Sequence, residues 1–447
     1  MNNELTIPAK LSISKENPFK GDLFSRRALA DKLTKYISRL KNGCVIGIDA
    51  PWGEGKTWFG QNWCNDLDAQ NYKVLYIDSF KNDYIDDPFL LIASEIQLLI
   101  DADKTNSSEF KTKTASVIRA IMPITSKILM NAIIKNTLGI SNATESIAQT
   151  IQEASEDVAD EAKEWIEHSI ATYQSDKKTL SNFVSLLSKF CSEQEKPVVI
   201  FIDELDRCKP TFAIQLIERI KHFFDVPNLV FILLTNRTQI ESSIKGIYGS
   251  DTNASEYLGK FIHLFLKLPK KSNIFQPEEN ANRQYLIHLA SNYKFDLNVQ
   301  NNMGFIDAFA IISSVMNMSL RDLEQGMTVF MLNTANRELY PYLAWPIALK
   351  IKHPKIFYDI HSNSHRDVVQ AHESSIDILK GFGQSDKEKY PESVFHYFRL
   401  LHERVLRDIS EDDKQFLESN GPRIYYPHQK DGLIKQLIAS VDVAFSK

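Results

Sequence analysis

Cysteine is scarce in this sequence. The four present (Cys44, Cys64, Cys191, Cys208) form no CxxC pair and have no histidine at zinc-ligand spacing. That pattern excludes a disulfide framework or a zinc module and predicts reduced, mostly buried thiols in a cytoplasmic protein. Neither sign of charge dominates: 52 Lys and Arg oppose 57 Asp and Glu, for a net charge of -5. Such a balance gives no global attraction to nucleic acid or to an anionic membrane. Long uncharged apolar runs are missing too. The nearest approach, residues 115–140, is interrupted by Arg119, Lys127 and Lys135. A membrane span needs about 20 predominantly apolar residues, so this segment is expected to be an amphipathic packing helix, with no membrane contact. The opening Met1-Asn2-Asn3-Glu4 carries no basic stretch followed by an apolar one, and no secretory signal is expected. Internal repeats and low-complexity tracts are also absent.

What is there suits a globular chain. The 447 residues are 43% hydrophobic and 24% charged, enough for two or three domains at roughly 100–200 residues each. Asp22 to Leu40 reads as an amphipathic helix, with Leu29, Leu33, Tyr36, Ile37 and Leu40 on one side. Short apolar runs at 44–48, 73–78, 197–202, 228–234 and 261–268 read as strands. Helical stretches separate them, which predicts a parallel sheet with crossover helices. Asp87-Pro88 opens an apolar helix reaching about Ile100, and residues 105–192 form a long helical region, acidic over 141–167. The fold expected is α/β: a three-layer parallel sheet with a long helical insertion and a helical C-terminal region. Its boundaries fall at 1–104 and 193–270 for the two parts of the core, 105–192 for the insertion, and 271–447 for the helical end.

The chemistry begins at Ala50-Pro51-Trp52-Gly53-Glu54-Gly55-Lys56-Thr57, directly after the first strand and before a helix that includes Trp58. Gly55-Lys56-Thr57 satisfies the phosphate-loop rule, with Ala50 where a first glycine is usual. Residues Pro51 to Trp58 form a cradle whose backbone N–H groups, lacking only at Pro51, face phosphate oxygens. Lys56 would neutralise the β and γ phosphates, and the Thr57 hydroxyl would ligate Mg²⁺. The third strand ends in Asp203-Glu204. A carboxylate there can hold the same Mg²⁺, and Glu204 is placed to act as general base on water. ATP and Mg²⁺ are therefore the expected ligands.

Three further residues are candidates. Asn236 follows the fourth strand, where it either senses the γ-phosphate or simply turns the chain. Arg207 either reaches a phosphate as an arginine finger or pairs structurally with Asp206. Arg321 stands near a helix start capped by Ser319 and either touches the γ-phosphate or is a plain surface residue. Arg26 and Arg27 read as solvated. His361, His365 and His372 read as one wet face of a polar helix rather than as metal ligands.

At Asp203-Glu204-Leu205-Asp206-Arg207-Cys208-Lys209-Pro210 the chain resembles the KAP family of P-loop NTPases, grouped with the STAND-type signalling ATPases. The tryptophan of Pro51-Trp52-Gly53-Glu54-Gly55-Lys56-Thr57, the stretch from Ser79-Phe80-Lys81 to Asp87-Pro88-Phe89, and Tyr257-Leu258-Gly259-Lys260-Phe261 through Leu268-Pro269 agree with it. This sequence has Asp203-Glu204 where the family usually has two aspartates, and Gly259 where glutamate is usual. The resemblance implies an Mg-ATPase that drives a conformational or assembly switch. It also implies a setting in a multi-protein bacterial defence against phage, as a homo-oligomer or beside an effector protein encoded nearby. The rival readings are a nucleic-acid-stimulated motor or remodelling ATPase, which the acidic balance does not indicate, and a nucleotide-bound scaffold with little turnover.

Overall fold

A computed structural model of the chain describes residues 13–85, 87–102, 181, 183–270, 278–299, 301–333, 336–384, 392–422 and 432–442. The chain begins with helix α1 (Arg26–Ile37), strand β1 (Cys44–Asp49), helix α2 (Lys56–Ala69), strand β2 (Val74–Asp78) and helix α3 (Pro88–Ala102). Helix α4 (183–192) leads to β3 (Val198–Asp203), then come α5 (Pro210–Ile220), β4 (Leu229–Thr235), α6 (Arg237–Tyr248), α7 (Ala254–Gly259) and β5 (Leu264–Lys267). All strand pairs are parallel, in the order β2-β3-β4-β1-β5. The α/β parallel architecture read from the sequence is the one observed. The fifth strand is shorter than read, because α7 and a turn occupy the chain up to its start.

Every residue of β3 and β4 is buried, as strands covered on both faces require. Alternation sends Val198, Ile200, Ile202, Leu229, Phe231 and Leu233 to one face, where α3, α4 and α5 pack. Val199, Phe201, Val230, Ile232 and Leu234 go to the other, against α1 and α2. Phe59, Trp63 and Leu67, one helical stripe of α2, are fully buried there, each contributing about 1.5–3 kcal/mol by leaving water. The Trp63 ring meets Phe201 edge-on with centroids 5.3 Å apart, and its indole N–H donates to the Thr34 hydroxyl of α1 at 2.9 Å.

Register brings the working ends together. Asp49 pairs with Thr235 across β1 and β4, while Asp203 pairs with Leu234 and Asp78 across β4 and β2. The loop after β1 and the acidic end of β3 thus share one edge of the sheet, with the end of β4 between them, the usual ligand position in an open α/β sheet.

Beyond β5 the chain is helical: α8 (Ala281–Asn292), α9 (Asn302–Val315), α10 (Leu320–Met331), α11 (Ala344–Lys352), α12 (Pro354–Asp359), α13 (His365–Gln384), α14 (Glu392–Leu406), α15 (Glu411–Asn420) and α16 (Gly432–Val441). These helices surround their own core, centred on Trp345, to which Phe24 also belongs. Phe395, Tyr397 and Phe398 of α14 are buried in it. Their aromatic-charged alternation, readable as facing a partner or an internal core, serves the core.

Several expectations are revised. The first helix begins at Arg26 rather than Asp22, because the Asp22 carboxylate accepts from the N–H groups of Phe24 and Arg27 and Ser25 is left-handed at φ 54°. Phe19, ahead of that helix, is 4% exposed and packs on Trp58 and Phe59. His372 is fully buried, not solvated: its Nδ1 lies 2.8 Å from Nδ1 of His402. The segments 115–140 and 141–167 fall outside the described residues. Among the described residues no helix is long and apolar enough to cross a membrane, and no group of three or more His, Cys, Asp or Glu is placed to hold a metal.

Candidate nucleotide site

The loop between β1 and α2 needs its glycines. Gly53 and Gly55 have φ of 78° and 76°, a conformation glycine adopts without penalty. Space forbids side chains as well: a Cβ on Gly53 would sit 2.7 Å from Arg321 Cβ, and one on Gly55 would sit 2.7 Å from Arg26 Nη1. Ala50 does not share the left-handed φ, so the missing first glycine costs this backbone nothing. Its N–H donates to Thr235 O at 3.2 Å, tying the loop to the end of β4.

Lys56 opens α2 and is 8% exposed. Its ammonium donates to Ala50 O at 2.7 Å and Pro51 O at 3.2 Å, and stands 3.7 Å from Asp206 Oδ2. Burial lowers its pKa, while Asp206 pulls it back up. Asp203, at the end of β3, is 2% exposed. Its Oδ2 accepts from Tyr76 at 2.7 Å, its Oδ1 accepts from Glu204 N at 2.8 Å, and it also hydrogen-bonds Thr57. Burial pushes its pKa up, and those hydrogen bonds act against the shift. Glu204 adopts φ 59°, a left-handed strain of about 1–2 kcal/mol for an L-residue. The turn aims its carboxylate at Arg207, with Oε1 2.9 Å from Nη1. Burial raises the Glu204 pKa and Arg207 opposes the rise. The acidic partner of Arg207 is thus Glu204. Asp206 instead accepts from Trp52 Nε1 at 2.5 Å and faces Lys56.

A cleft of about 1350 Å³ collects these groups. Trp52, Gly53, Gly55, Lys56, Thr57 and Trp58 line it from the loop, and Asp203, Glu204, Asp206 and Arg207 from the acidic end. Arg321 lines it from the start of α10. There Ser319 and Asp322 form a reciprocal cap, Asp322 N donating to Ser319 Oγ at 3.2 Å and Ser319 N donating to Asp322 Oδ2 at 2.8 Å. Three sequence candidates lie outside the lining: Pro51, Glu54 and Asn236. Asn236 is the N-cap position of α6 without capping it through its side chain; Asp49 Oδ1 accepts from Arg237 N instead, at 2.9 Å.

Glu54 serves the loop from below. Its Oε1 lies 3.0 Å from Lys270 Nζ, and Lys270 also donates to Met318 O at 2.7 Å, just before α10. Arg26 completes this underside, and the expectation of a solvated arginine is overturned. It is 2% exposed, donating to Glu54 O at 2.7 Å, Gly55 O at 3.4 Å and Pro269 O at 3.4 Å. Burial brings its pKa down to about 10, so the guanidinium stays charged at neutral pH. Tyr76, Arg26 and Lys270 carried no motif; the one available signal was a tyrosine two residues before the end of β2.

The KAP family P-loop domain matches residues 26–334, which takes in the loop, the acidic strand end and α10. An uncharacterized protein of Methanocaldococcus jannaschii is 27% identical over 172 residues, 36% of this chain and 88% of that one. Among solved structures, the Aeropyrum pernix ORC2 protein in ADPNP-ADP complexes has 10% identity and a TM-score of 0.35, covering 96% of each chain. Cdc6p from Pyrobaculum aerophilum has 11% identity and a TM-score of 0.35, covering 97% of this chain and 89% of that one. The family match spans well over half the sequence and includes every motif from which the cleft is built: the chain belongs to the KAP family of P-loop NTPases.

Proposed function

We propose that the chain binds and hydrolyses Mg-ATP, and that the state of the phosphate site sets how the helical region rests on the core. One observation carries this reading: Lys56, Asp203, Glu204 and Arg321 line a single cleft, with the start of α10 against Gly53. The two left-handed glycines and the N-terminus of α2 suit a chain of phosphates. Thr57 and Asp203, already hydrogen-bonded to each other, are hard oxygen donors that fit Mg²⁺. Bound there, the ion would neutralise phosphate charge.

The roles of the side chains follow from their surroundings. Lys56 exchanges its loop carbonyls for phosphate oxygens. Tyr76 fixes the Asp203 carboxylate by donating to Oδ2. Glu204 takes the proton of the attacking water, and its raised pKa brings it nearer the range where a base works at neutral pH. Arg207 orients that base through the 2.9 Å ion pair. Arg321 would read the γ-phosphate from α10, and Asn236 would act from the end of β4.

The wider setting follows the family resemblance alone: a bacterial anti-phage system in which the chain works as a homo-oligomer or with a neighbouring effector protein. Identification of what co-purifies with the native chain tests that setting. For the site itself, Lys56→Ala is expected to weaken Mg-ATP binding at least a hundredfold in calorimetric titration. Retained wild-type affinity would contradict the phosphate-loop reading.

A further inference from the structure

Asp206, beside Lys56 in the cleft, has neither a metal-binding nor a basic role assigned to it. Its side chain is 2% exposed, yet the residue lines the cleft. One oxygen, Oδ2, accepts from the Trp52 indole at 2.5 Å and lies 3.7 Å from the Lys56 ammonium. The other, Oδ1, is buried and has no hydrogen-bond partner among the described residues. A carboxylate in that state is costly to keep unless a cation faces it. Lys56 faces it, and Lys56 is the residue a phosphate would recruit.

We propose that Asp206 makes nucleotide binding conditional on a divalent cation, by competing with phosphate for Lys56 and repelling a polyphosphate that arrives without its metal. The inference rests on the nucleotide reading above. The local charges carry it. The buried charges facing the cleft are Lys56 against Asp203 and Asp206; Glu204 is matched by Arg207, Arg26 lies beneath the loop with Glu54 and Lys270, and Lys81 and Arg321 stand on the exposed rim. Once Lys56 turns to phosphate, Asp206 keeps only the Trp52 donor. A bare polyphosphate then meets two uncompensated carboxylates at short range, shielded from salt by burial. With Mg²⁺ on the nucleotide, the excess negative charge disappears, and Asp206 Oδ1 gains a positive field to face. Trp52 holds the carboxylate in place throughout, since the indole is a donor only and cannot neutralise it.

The test is calorimetric titration with ATP in excess Mg²⁺ and with ATP in excess EDTA. Wild-type affinity is expected to fall roughly a thousandfold on removing Mg²⁺. D206N should recover about tenfold to a hundredfold of the metal-free affinity, the worth of one close charge pair. Should D206N fail to fold by circular dichroism, D206L carries the same comparison, matching the shape without charge or donor. An equal Mg²⁺ dependence in wild type and the Asp206 variants overturns the inference while leaving the nucleotide reading intact. A wild-type chain that does not bind Mg-ATP at all overturns the reading beneath it.

Discussion

The sheet domain and the helical region both bury polar side chains, but they do so in opposite ways. In the sheet domain, Lys56, Asp203 and Asp206 gather around a cleft with Glu54 beneath the loop, and buried oxygens of Glu54 and Asp206 have no hydrogen-bond partner among the described residues. In the helical region the buried polar side chains are mostly neutral and enclosed in the core. The Trp345 indole donates to His402 Nε2 at 3.0 Å, which leaves the His402 proton on Nδ1, facing His372 Nδ1 at 2.8 Å. Buried charges beside an opening suit a site that takes a charged ligand, whereas neutral rings bonded to one another inside a closed core suit packing. Histidine, often suspected of chemistry, is here buried in packing, and a glutamate in strained backbone is the one proposed as the base.

Substitutions can break that contrast, each region failing in its own way. Glu204→Gln should lower kcat about a thousandfold with Mg-ATP affinity kept, as removal of a general base does. A steady-state assay beside a binding titration checks it, and unchanged turnover would remove Glu204 from the role. Trp345→Ala should instead cost about 3 kcal/mol of stability in a denaturant titration, through lost burial and an abandoned His402 acceptor. Folded variant should still bind nucleotide as the wild type does; a loss of binding would tie the two regions more closely than proposed.

The histidine pair sharpens the contrast through pH. Burial, then the neighbouring His372, hold His402 well below its ordinary value of 6.5, so the native state keeps it neutral. Below that value the unfolded chain binds the extra proton, and stability falls as pH drops, by at most about 1.4 kcal/mol per pH unit. Above it the contribution is fully present. Stability of wild type measured between acid and neutral pH should show this slope, and His402→Gln should flatten it. Smallest of all, Lys270→Met should remove about 1 kcal/mol of coupling between loop and helices. Protection of α10 against hydrogen exchange would then respond less to Mg-ATP; an undiminished response would clear Lys270 of that role.

What the sequence made legible depended on whether partners were neighbours in the chain. The phosphate loop and Asp203-Glu204 are contiguous, and their strand contexts are local patterns, so both could be read directly. The strands of β3 and β4 announced themselves as unbroken apolar runs because both their faces are covered. Arg26 was misread because nothing near it explains its burial: its acceptor Pro269 O is 243 residues away. Lys270 and Glu54 are 216 residues apart, and Tyr76 and Asp203 are 127 apart. His372 was misread because its spacing with His361 and His365 suggested a helix face, while its actual neighbour is on α14. Of the two alternatives for Arg207, the pairing with Asp206 could not be judged from the sequence, since the left-handed turn at Glu204 folds that carboxylate back over it instead.

The short span between β5 and α8 places Lys270 where a fulcrum would sit. On one side is Glu54, under the phosphates; on the other is the carbonyl of Met318, at the root of α10. A helical body that pivots there amplifies the motion of its root at its far end, in proportion to its length. On the switch proposed above, a slight shift of the loop would be carried through Lys270 and α10 to helices α13 to α16, which contribute no residue to the cleft.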